Sequence, residues 1–220
     1  MGQLINLVEA RVDRSRPSRG VAAFFFALDC PISYLAAERV ERALGEIDWI
    51  PLVGPAYSLG APCSTAESNL RAGERWSVAE HEARELRLPL VEPERFPLLD
   101  GRAAARAALH AGDLGVGRRF ALACARFAFC GGFDLADPDV IGEAAEAVDL
   151  SADDLLAASR DQSYDVTLDA TARGLVARGV SSGPAIRVGT RWFEGLDAVP
   201  GARTFVAAQS LYGGSLRPSG

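Results

Sequence analysis

The sequence predicts an α/β protein in which a β-α-β start and a C-terminal β-hairpin are separated by a helical region. The continuously apolar run from Val21 to Leu28 is typical of a strand that is buried on both faces. An amphipathic segment follows it, and the apolar stretch from Ile47 to Val53 comes next. After Gly179, two short strand-like runs are joined by Gly189-Thr190, which suits a two-residue hairpin turn.

The first helix is predicted to run without a break from Pro31 to about Leu44. Pro31 fits the first helical position, because its missing N–H would be unpaired there in any residue. Apolar residues lie on one side of this helix at helical spacing, namely Ile32, Leu35, Ala36, Val40, Ala43 and Leu44. In the second strand, Pro51 restricts the strand to a sheet edge or to a strand end. The three elements should form a right-handed parallel crossover.

The middle of the chain is predicted to be helical after a loop from Gly54 to about Asn69. Helices are expected at 77–87, 101–111, 115–129, 138–148, after Ser151, at 163–178, and from Leu196 with an interruption near Pro200-Gly201. Asp137-Pro138 and Ser151 with Asp154 are start signals. The expected parts are an extension (1–20), a discontinuous α/β domain (21–75 and 161–210), a helical insertion domain (76–160) and a tail (211–220).

Composition and charge exclude several classes of function. Hydrophobic residues make up 49% and charged residues 24%, as in ordinary globular proteins. A net charge of -6 argues against nucleic acid or an anionic membrane as partner. All 23 basic residues are arginine, which removes lysine Schiff-base chemistry. No apolar run approaches the ~20 residues of a membrane span. The charged residues within 1–20 leave no room for a signal core, so we expect a cytoplasmic protein.

The four cysteines lack metal-ligand spacing, so no metal is expected and all four are predicted to be free thiols. Cys124 and Cys130 lie in an apolar helical run and are predicted to be core residues. Cys63 lies in the predicted loop, where it is either a plain loop residue or a resolving thiol.

Cys30 is the candidate reactive residue, because it stands between a strand end and a helix start, where the helix N–H groups favour a thiolate. The alternative is a small buried hydrophobe. The fourth position of the tetrad that Cys30 opens is Ser33, so the second thiol of a dithiol redox motif is absent. Two interpretations of Ser33 stay open: it bonds to the Cys30 sulfur, or it satisfies local backbone groups.

Several stretches, in order, carry a resemblance to a known family. They are CPISYLAAERV (30–40), Trp49 with Pro51, LPLVEPERFPL (88–98), FDLADPDVIGEAAEAVDLSADDLLAASRD (133–161), GVSSGPAI (179–186) and FEGLDA (193–198). Together they resemble the DsbA-like branch of the thioredoxin superfamily. More narrowly, they are similar to the kappa-class glutathione transferases and 2-hydroxychromene-2-carboxylate isomerases. The resemblance covers roughly residues 21–200 and implies a thioredoxin-like α/β fold with an inserted all-helical domain.

The resemblance also implies the roles of site residues. Family members use a first-helix hydroxyl to stabilise the thiolate of bound glutathione, and Cys30 takes that place here. Pro184 is implied to be a cis proline, with Gly183 giving a backbone contact to the cofactor. Asp197 matches the acid that holds the γ-glutamyl amine, and Asn69 matches an asparagine that touches the tripeptide.

The chain also departs from the family pattern, since Leu196 and Ala198 replace a polar residue and an arginine beside Asp197. Glutathione or another low-molecular-weight thiol is the implied cofactor, and a homodimer is the implied assembly.

Three functions are compatible with these observations. The first is a thiol-dependent isomerase or transferase acting on a small, aromatic, conjugated substrate. The second is a monothiol disulfide oxidoreductase in which Cys30 forms a mixed disulfide that an external thiol resolves, because Ser33 cannot. The third is a non-catalytic binding module with a thioredoxin fold.

Overall fold

The structure, a computed structural model, describes residues 22–53, 65–93, 96 and 101–213, and of 65–71 and 210–213 it describes the backbone. Cys63, the 1–20 extension and most of the predicted 54–69 loop lie outside the described residues. The expected division into domains stays a prediction.

A four-stranded sheet forms the base of the fold, with the strand order β2-β1-β3-β4. Its strands are β1 (Ala22–Ala27), β2 (Asp48–Leu52), β3 (Ala185–Val188) and β4 (Arg191–Glu194). β1 pairs with β2 in parallel and with β3 in antiparallel fashion, and β3 and β4 form the predicted hairpin. The turn residue Gly189 has a φ of 58°, which suits glycine. Pro51 lies in an edge strand, as predicted, where a missing N–H breaks no bond of the sheet interior.

The predicted first helix is divided into α1 (Pro31–Ala37) and α2 (Val40–Leu44), so the prediction of one continuous helix was wrong. Between them, the Arg39 N–H donates to the Ala36 carbonyl at 3.0 Å, an i to i−3 bond that tightens the turn. The side chains of the break pair with other helices: Glu38 accepts two bonds from Arg126, and Arg39 donates to Glu82. The break in a segment whose local pattern is helical is thus accompanied by contacts with distant residues.

The described residues between β2 and β3 are mostly helical. The helices are α3 (Thr65–Leu86), α4 (Arg102–Asp113), α5 (Gly117–Phe129), α6 (Pro138–Glu146), α7 (Ala152–Arg160) and α8 (Asp165–Val176). The predicted start signals are confirmed, because Asp137 accepts from the Asp139 N–H at 3.0 Å and Ser151 accepts from the Asp154 N–H at 3.3 Å.

α3 begins at Thr65 rather than at Ser77, so the prediction of a loop reaching Asn69 was wrong. Ala72, Trp76, Ala79 and Ala83 are buried along this helix at helical spacing. The gain from burying this face outweighs the low helix propensity of residues such as Gly73.

The last helix, α9 (Ala198–Gly213), follows a 3₁₀ turn at Gly195–Asp197 and is continuous through Pro200-Gly201. The predicted interruption was therefore wrong. Pro200 lies in the first turn, where backbone N–H groups have no partner within the helix. Gly201 is needed for packing, because a Cβ there would lie 2.9 Å from Cδ1 of Phe193.

One apolar cluster extends from the sheet into the inserted helices. Its largest fully buried side chains include Phe24, Tyr34, Phe120, Phe129, Leu135 and Ile141. The sheet and the inserted helices consequently share one core. Within the ranges given above, no helix combines the length and the apolar character that crossing a membrane requires.

Candidate functional site

Cys30 lies where the chain leaves β1 and enters α1. Its backbone is extended, with a φ of −118° and a ψ of 116°, and its carbonyl accepts the Tyr34 N–H at 3.1 Å. The Cys30 N–H donates to the Ala27 carbonyl at 3.3 Å. The side chain is 0% exposed. Cys30 thus stands at the predicted strand-to-helix junction, but a ligand can reach its sulfur only after neighbouring atoms move.

Ser33 joins the end of β1 to the first turn of α1. Its hydroxyl oxygen accepts the Ala27 N–H at 3.1 Å, while the side chain of Cys30 makes no capping hydrogen bond to the start of the helix. The residue is 2% exposed. Ser33 therefore satisfies a local backbone group, as one of its two interpretations has it, and a bond from Ser33 to the Cys30 sulfur stays a prediction.

The Gly183–Pro184 peptide bond is cis, as the resemblance implied. The segment before it is held by Glu194 at the end of β4, whose Oε2 accepts the N–H groups of Ser181 at 2.8 Å and Ser182 at 3.1 Å. On the other side, the Gly195 N–H donates to the Pro184 carbonyl at 2.8 Å. Sequence reasoning missed Glu194 as a positioning residue, although it lies inside the FEGLDA stretch that carried part of the resemblance.

Arg75 is the other functional residue that sequence reasoning missed. It is half-buried on α3, and its Nη1 donates to the Gly183 carbonyl at 3.3 Å. Its positive charge also acts on the Cys30 thiol. Arg75 thereby joins α3 to the segment before Pro184. The contact joins residues that are far apart in sequence, and the region just before Arg75 was assigned to a loop, so no local pattern indicated it.

Burial raises the pKa of the Cys30 thiol above its ordinary value. Three effects oppose it: the charge of Arg75, the Ser33 N–H and the Ser33 hydroxyl, whereas the charge of Asp29 adds to the increase. The sequence predicts that the helix start lowers the pKa of the Cys30 thiol, but that pKa is raised. Loss of hydration disfavours the charged form more than the surrounding donors and cation favour it.

Asp197 and Asn69 are not brought into this cluster by any contact that the structure describes. Asp197 is exposed in the 3₁₀ turn after β4. Asn69 lies in the first turns of α3, and its side chain is outside the described residues. Leu196 lines a shallow depression together with Ile32, Leu35, Ala36, Arg39, Glu82, Gly195 and Val199. The surface beside the turn is thus mostly apolar where the family pattern has polar residues.

The described contacts therefore join Ser33 to the end of β1 and Arg75 to the Gly183 carbonyl. The Arg75 charge and the Ser33 donors favour a thiolate at Cys30, and burial opposes it. Across residues 22–53, 65–93 and 101–213, no three His, Cys, Asp or Glu side chains lie close enough together to hold a metal ion.

Solved structures similar to this chain share its fold. A 2-hydroxychromene-2-carboxylate isomerase matches with a TM-score of 0.74 and 14% identity, over 89% of this chain and 98% of that one. A probable DsbA oxidoreductase from Streptomyces coelicolor has a TM-score of 0.62 and 16% identity, over 90% and 92%. The cytosolic disulfide reductase DsbM from Pseudomonas aeruginosa, solved with GSH, has a TM-score of 0.61 and 18% identity, over 86% and 98%.

Comparison with curated proteins gives no match. The family profile described as the DSBA-like thioredoxin domain matches residues 22–212, which is most of the chain. Its span contains the sheet, the inserted helices, Cys30 and the cis Pro184. The chain therefore belongs to the DSBA-like thioredoxin domain family.

Proposed function

We propose that the protein is a thiol-dependent isomerase or transferase that acts on a small, aromatic, conjugated substrate with glutathione or a similar thiol as cofactor. The observation that carries the proposal is the environment of Cys30. Burial raises the pKa of this thiol, which favours the neutral form, and a neutral thiol is a hydrogen-bond donor. It thus suits the role of the donor hydroxyl that the resemblance implies, better than the role of a nucleophile.

In the proposed reaction, the atoms that cover Cys30 move aside, the cofactor sulfur lies beside Cys30 and Gly183, and the Cys30 S–H donates a hydrogen bond to it. The cofactor thiolate adds to a conjugated carbon of the substrate, forming a C–S bond and moving an electron pair onto the substrate carbonyl. A carbon–carbon double bond thereby becomes single and can rotate. Return of the electron pair breaks the C–S bond and releases the thiolate, so an isomerisation needs no net oxidant or reductant.

Two of the similar solved structures support this proposal, one by its activity and the other by the thiol bound to it. The 2-hydroxychromene-2-carboxylate isomerase aligns over nearly the whole chain, and DsbM was solved with GSH. We also propose that the protein is a cytoplasmic homodimer. Sedimentation of the purified chain tests its assembly, and the dimer proposal fails if the mass is that of a monomer at micromolar concentration.

A second candidate function is a monothiol disulfide oxidoreductase. The observation that favours it is the set of thiolate-stabilising groups around Cys30, namely Arg75 and both donors of Ser33. The Cys30 thiolate would attack a disulfide, forming a mixed disulfide and releasing one thiolate. An external thiol would then attack the mixed disulfide and regenerate Cys30.

Calorimetric titration with glutathione separates these functions. We expect saturable binding by the wild-type protein and by Cys30→Ser, whose hydroxyl still donates, and binding weakened about tenfold or more in Cys30→Ala, as expected for a lost bond to a charged group. Cys124→Ala is the matched control and should bind like the wild type.

Mass spectrometry after incubation with glutathione disulfide tests for the outcomes that would contradict the isomerase proposal. A stable mixed disulfide at Cys30, together with a thiol titrating well below ~8.5, would replace the isomerase proposal by the oxidoreductase. The absence of both binding and mixed disulfide would overturn both and leave a binding module.

A further inference from the structure

We infer that Glu194 holds the backbone of Gly183 in position for the thiol cofactor, and that the reach of its carboxylate sets the affinity for that cofactor. Glu194 is thus a positioning residue, because it acts through the segment 181–184 and not by touching the cofactor. The cofactor part of this inference rests on the proposed function.

The sheet register brings Glu194, the segment before β3 and the start of α1 to the same edge of the sheet. Ala185, the first residue of β3, pairs with Phe25 on one side and with Glu194 on the other. β1 ends shortly after Phe25, at Ala27, and the chain then leads to Cys30. Glu194 therefore stands at the edge of the sheet where the proposed reaction takes place.

One oxygen of Glu194 accepts three hydrogen bonds from the segment before Gly183. Its Oε2 accepts the N–H groups of Ser181 at 2.8 Å and Ser182 at 3.1 Å, and the Ser181 hydroxyl at 3.2 Å. Bonds of this kind to an ionised carboxylate are about twice as strong as those between neutral groups. The last residue of β4 therefore fixes the path of the chain into Gly183.

Other groups hold the backbone around Gly183, and its N–H is left for a ligand. The Gly195 N–H donates to the Pro184 carbonyl at 2.8 Å, and Arg75 Nη1 donates to the Gly183 carbonyl at 3.3 Å. Among the described residues, no hydrogen bond uses the Gly183 N–H, although Gly183 is buried. Buried N–H groups in folded proteins nearly always have an acceptor, so a carbonyl or carboxylate oxygen of the cofactor suits this position.

The alternative is that Glu194 only closes the loop before β3 and adds to stability. Asp137 has such a role at the start of α6, where its carboxylate accepts the Asp139 N–H at 3.0 Å. If stability were the whole role of Glu194, its removal would resemble the removal of Asp137: the free energy of unfolding would fall and the cofactor affinity of the folded protein would not change. Cofactor affinity therefore separates the two roles.

The test is calorimetric titration of the folded protein with glutathione. Glu194→Ala removes the acceptor, so glutathione should bind about tenfold or more weakly, because a binding segment that is no longer preorganised must be ordered on binding. Asp137→Ala is the matched control: it also removes a carboxylate that accepts a backbone N–H, and its affinity should stay within about twofold of the wild type, since distant sites act independently.

Two further variants separate the reach of the side chain from its charge. Glu194→Gln keeps an acceptor oxygen at the same reach without the charge, and should bind glutathione within about threefold of the wild type. Glu194→Asp keeps the charge but is shorter by one methylene, and should be weakened about as much as Glu194→Ala, since hydrogen bonds weaken steeply with poor geometry.

Equal affinities of the wild type and Glu194→Ala would overturn the inference. It would also be overturned by wild-type affinity in Glu194→Asp together with weak binding in Glu194→Gln, because the charge would then set the affinity. If Glu194→Ala does not fold by circular dichroism, the other two variants decide: tighter binding by Glu194→Gln than by Glu194→Asp supports the inference, and any other order overturns it.

The wild-type titration distinguishes failure of this inference from failure of the proposed function. If the wild type binds glutathione and Glu194→Ala binds it equally well, the inference fails and the proposed function stands. If the wild type does not bind glutathione, the proposed function fails and the inference fails with it.

Discussion

Cys30 and Cys124 are both completely buried, yet their surroundings differ in kind. Burial raises the pKa of each thiol. At Cys124, inside α5, the opposing contribution is a hydrogen bond to the backbone of the residue itself. At Cys30, the charge of Arg75 and the N–H and hydroxyl of Ser33 oppose the effect of burial on the pKa.

The comparison teaches that burial of a thiol by itself does not distinguish a core residue from a site. Cys124 lies among helix residues such as Phe120, Ala121 and Ala128, which pack the core. Cys30 lies at the junction of β1 and α1, close in the chain to the buried Ser33 hydroxyl, and the charge of Arg75 acts against the burial of its thiol. Such groups are costly to gather in an interior, and a small apolar side chain would not need them.

Native-state alkylation provides the largest expected difference between the two thiols. Cys124 is in the middle of a core helix, so its exposure requires opening close to global unfolding, whereas Cys30 stands at an element boundary that can open locally. We expect Cys30 to react with iodoacetamide at least about 100-fold faster than Cys124, equivalent to about 2.7 kcal/mol.

Peptide mass spectrometry over a time course measures both rates in one sample, and the rates in urea above the unfolding midpoint serve as the control. Equal native-state protection of the two sites would mean that Cys30 is as much a core residue as Cys124, and would remove the basis of the comparison.

Much of the fold could be predicted from local sequence patterns. The apolar run of β1, the hairpin turn at Gly189 and the caps at Asp137 and Ser151 depend on residues near in sequence, so they could be predicted. Cys30 was located for the same reason, because a strand end followed by proline is a local signal. The cis bond before Pro184 came from the resemblance and not from a residue pattern.

The rest depends on contacts between distant segments. At the break in the first helix, Glu38 pairs with Arg126 and Arg39 pairs with Glu82. Arg75 likewise contacts the carbonyl of Gly183, which is far away in sequence. The early start of α3 reflects burial of one helix face against the core. Helix propensity does not include these contacts or this burial, because both arise only when the elements pack together.

Ser33→Ala should have the next largest effect. The change leaves the buried Ala27 N–H without its acceptor on Ser33, which should lower the free energy of unfolding by about 2 kcal/mol. The Ser33 hydroxyl also lowers the pKa of the Cys30 thiol, so that pKa should rise further in the variant. Urea unfolding and the pH dependence of Cys30 alkylation measure the two effects.

Ser159→Ala is the matched control for this change. Ser159 is also buried, but its hydroxyl donates to the Leu156 carbonyl within its own helix region, so its removal should cost less than 1 kcal/mol, roughly one ordinary hydrogen bond. Similar costs for the two variants would show that the Ala27 N–H finds another acceptor, and that Ser33 is not needed to hold the strand end.

The smallest expected effect is a difference between two cysteine-to-serine changes. At Cys30 the new hydroxyl can bond to the Ser33 N–H and hydroxyl, and serine is a favourable residue immediately before a helix. At Cys124 the hydroxyl enters an apolar region of α5, where its remaining option is a carbonyl of the preceding turn. Cys124→Ser should therefore lose about 1 kcal/mol more unfolding free energy than Cys30→Ser, as measured in urea with equal m-values. A larger loss at Cys30 would contradict the donor arrangement around its sulfur, because the oxygen placed there would have failed to use it.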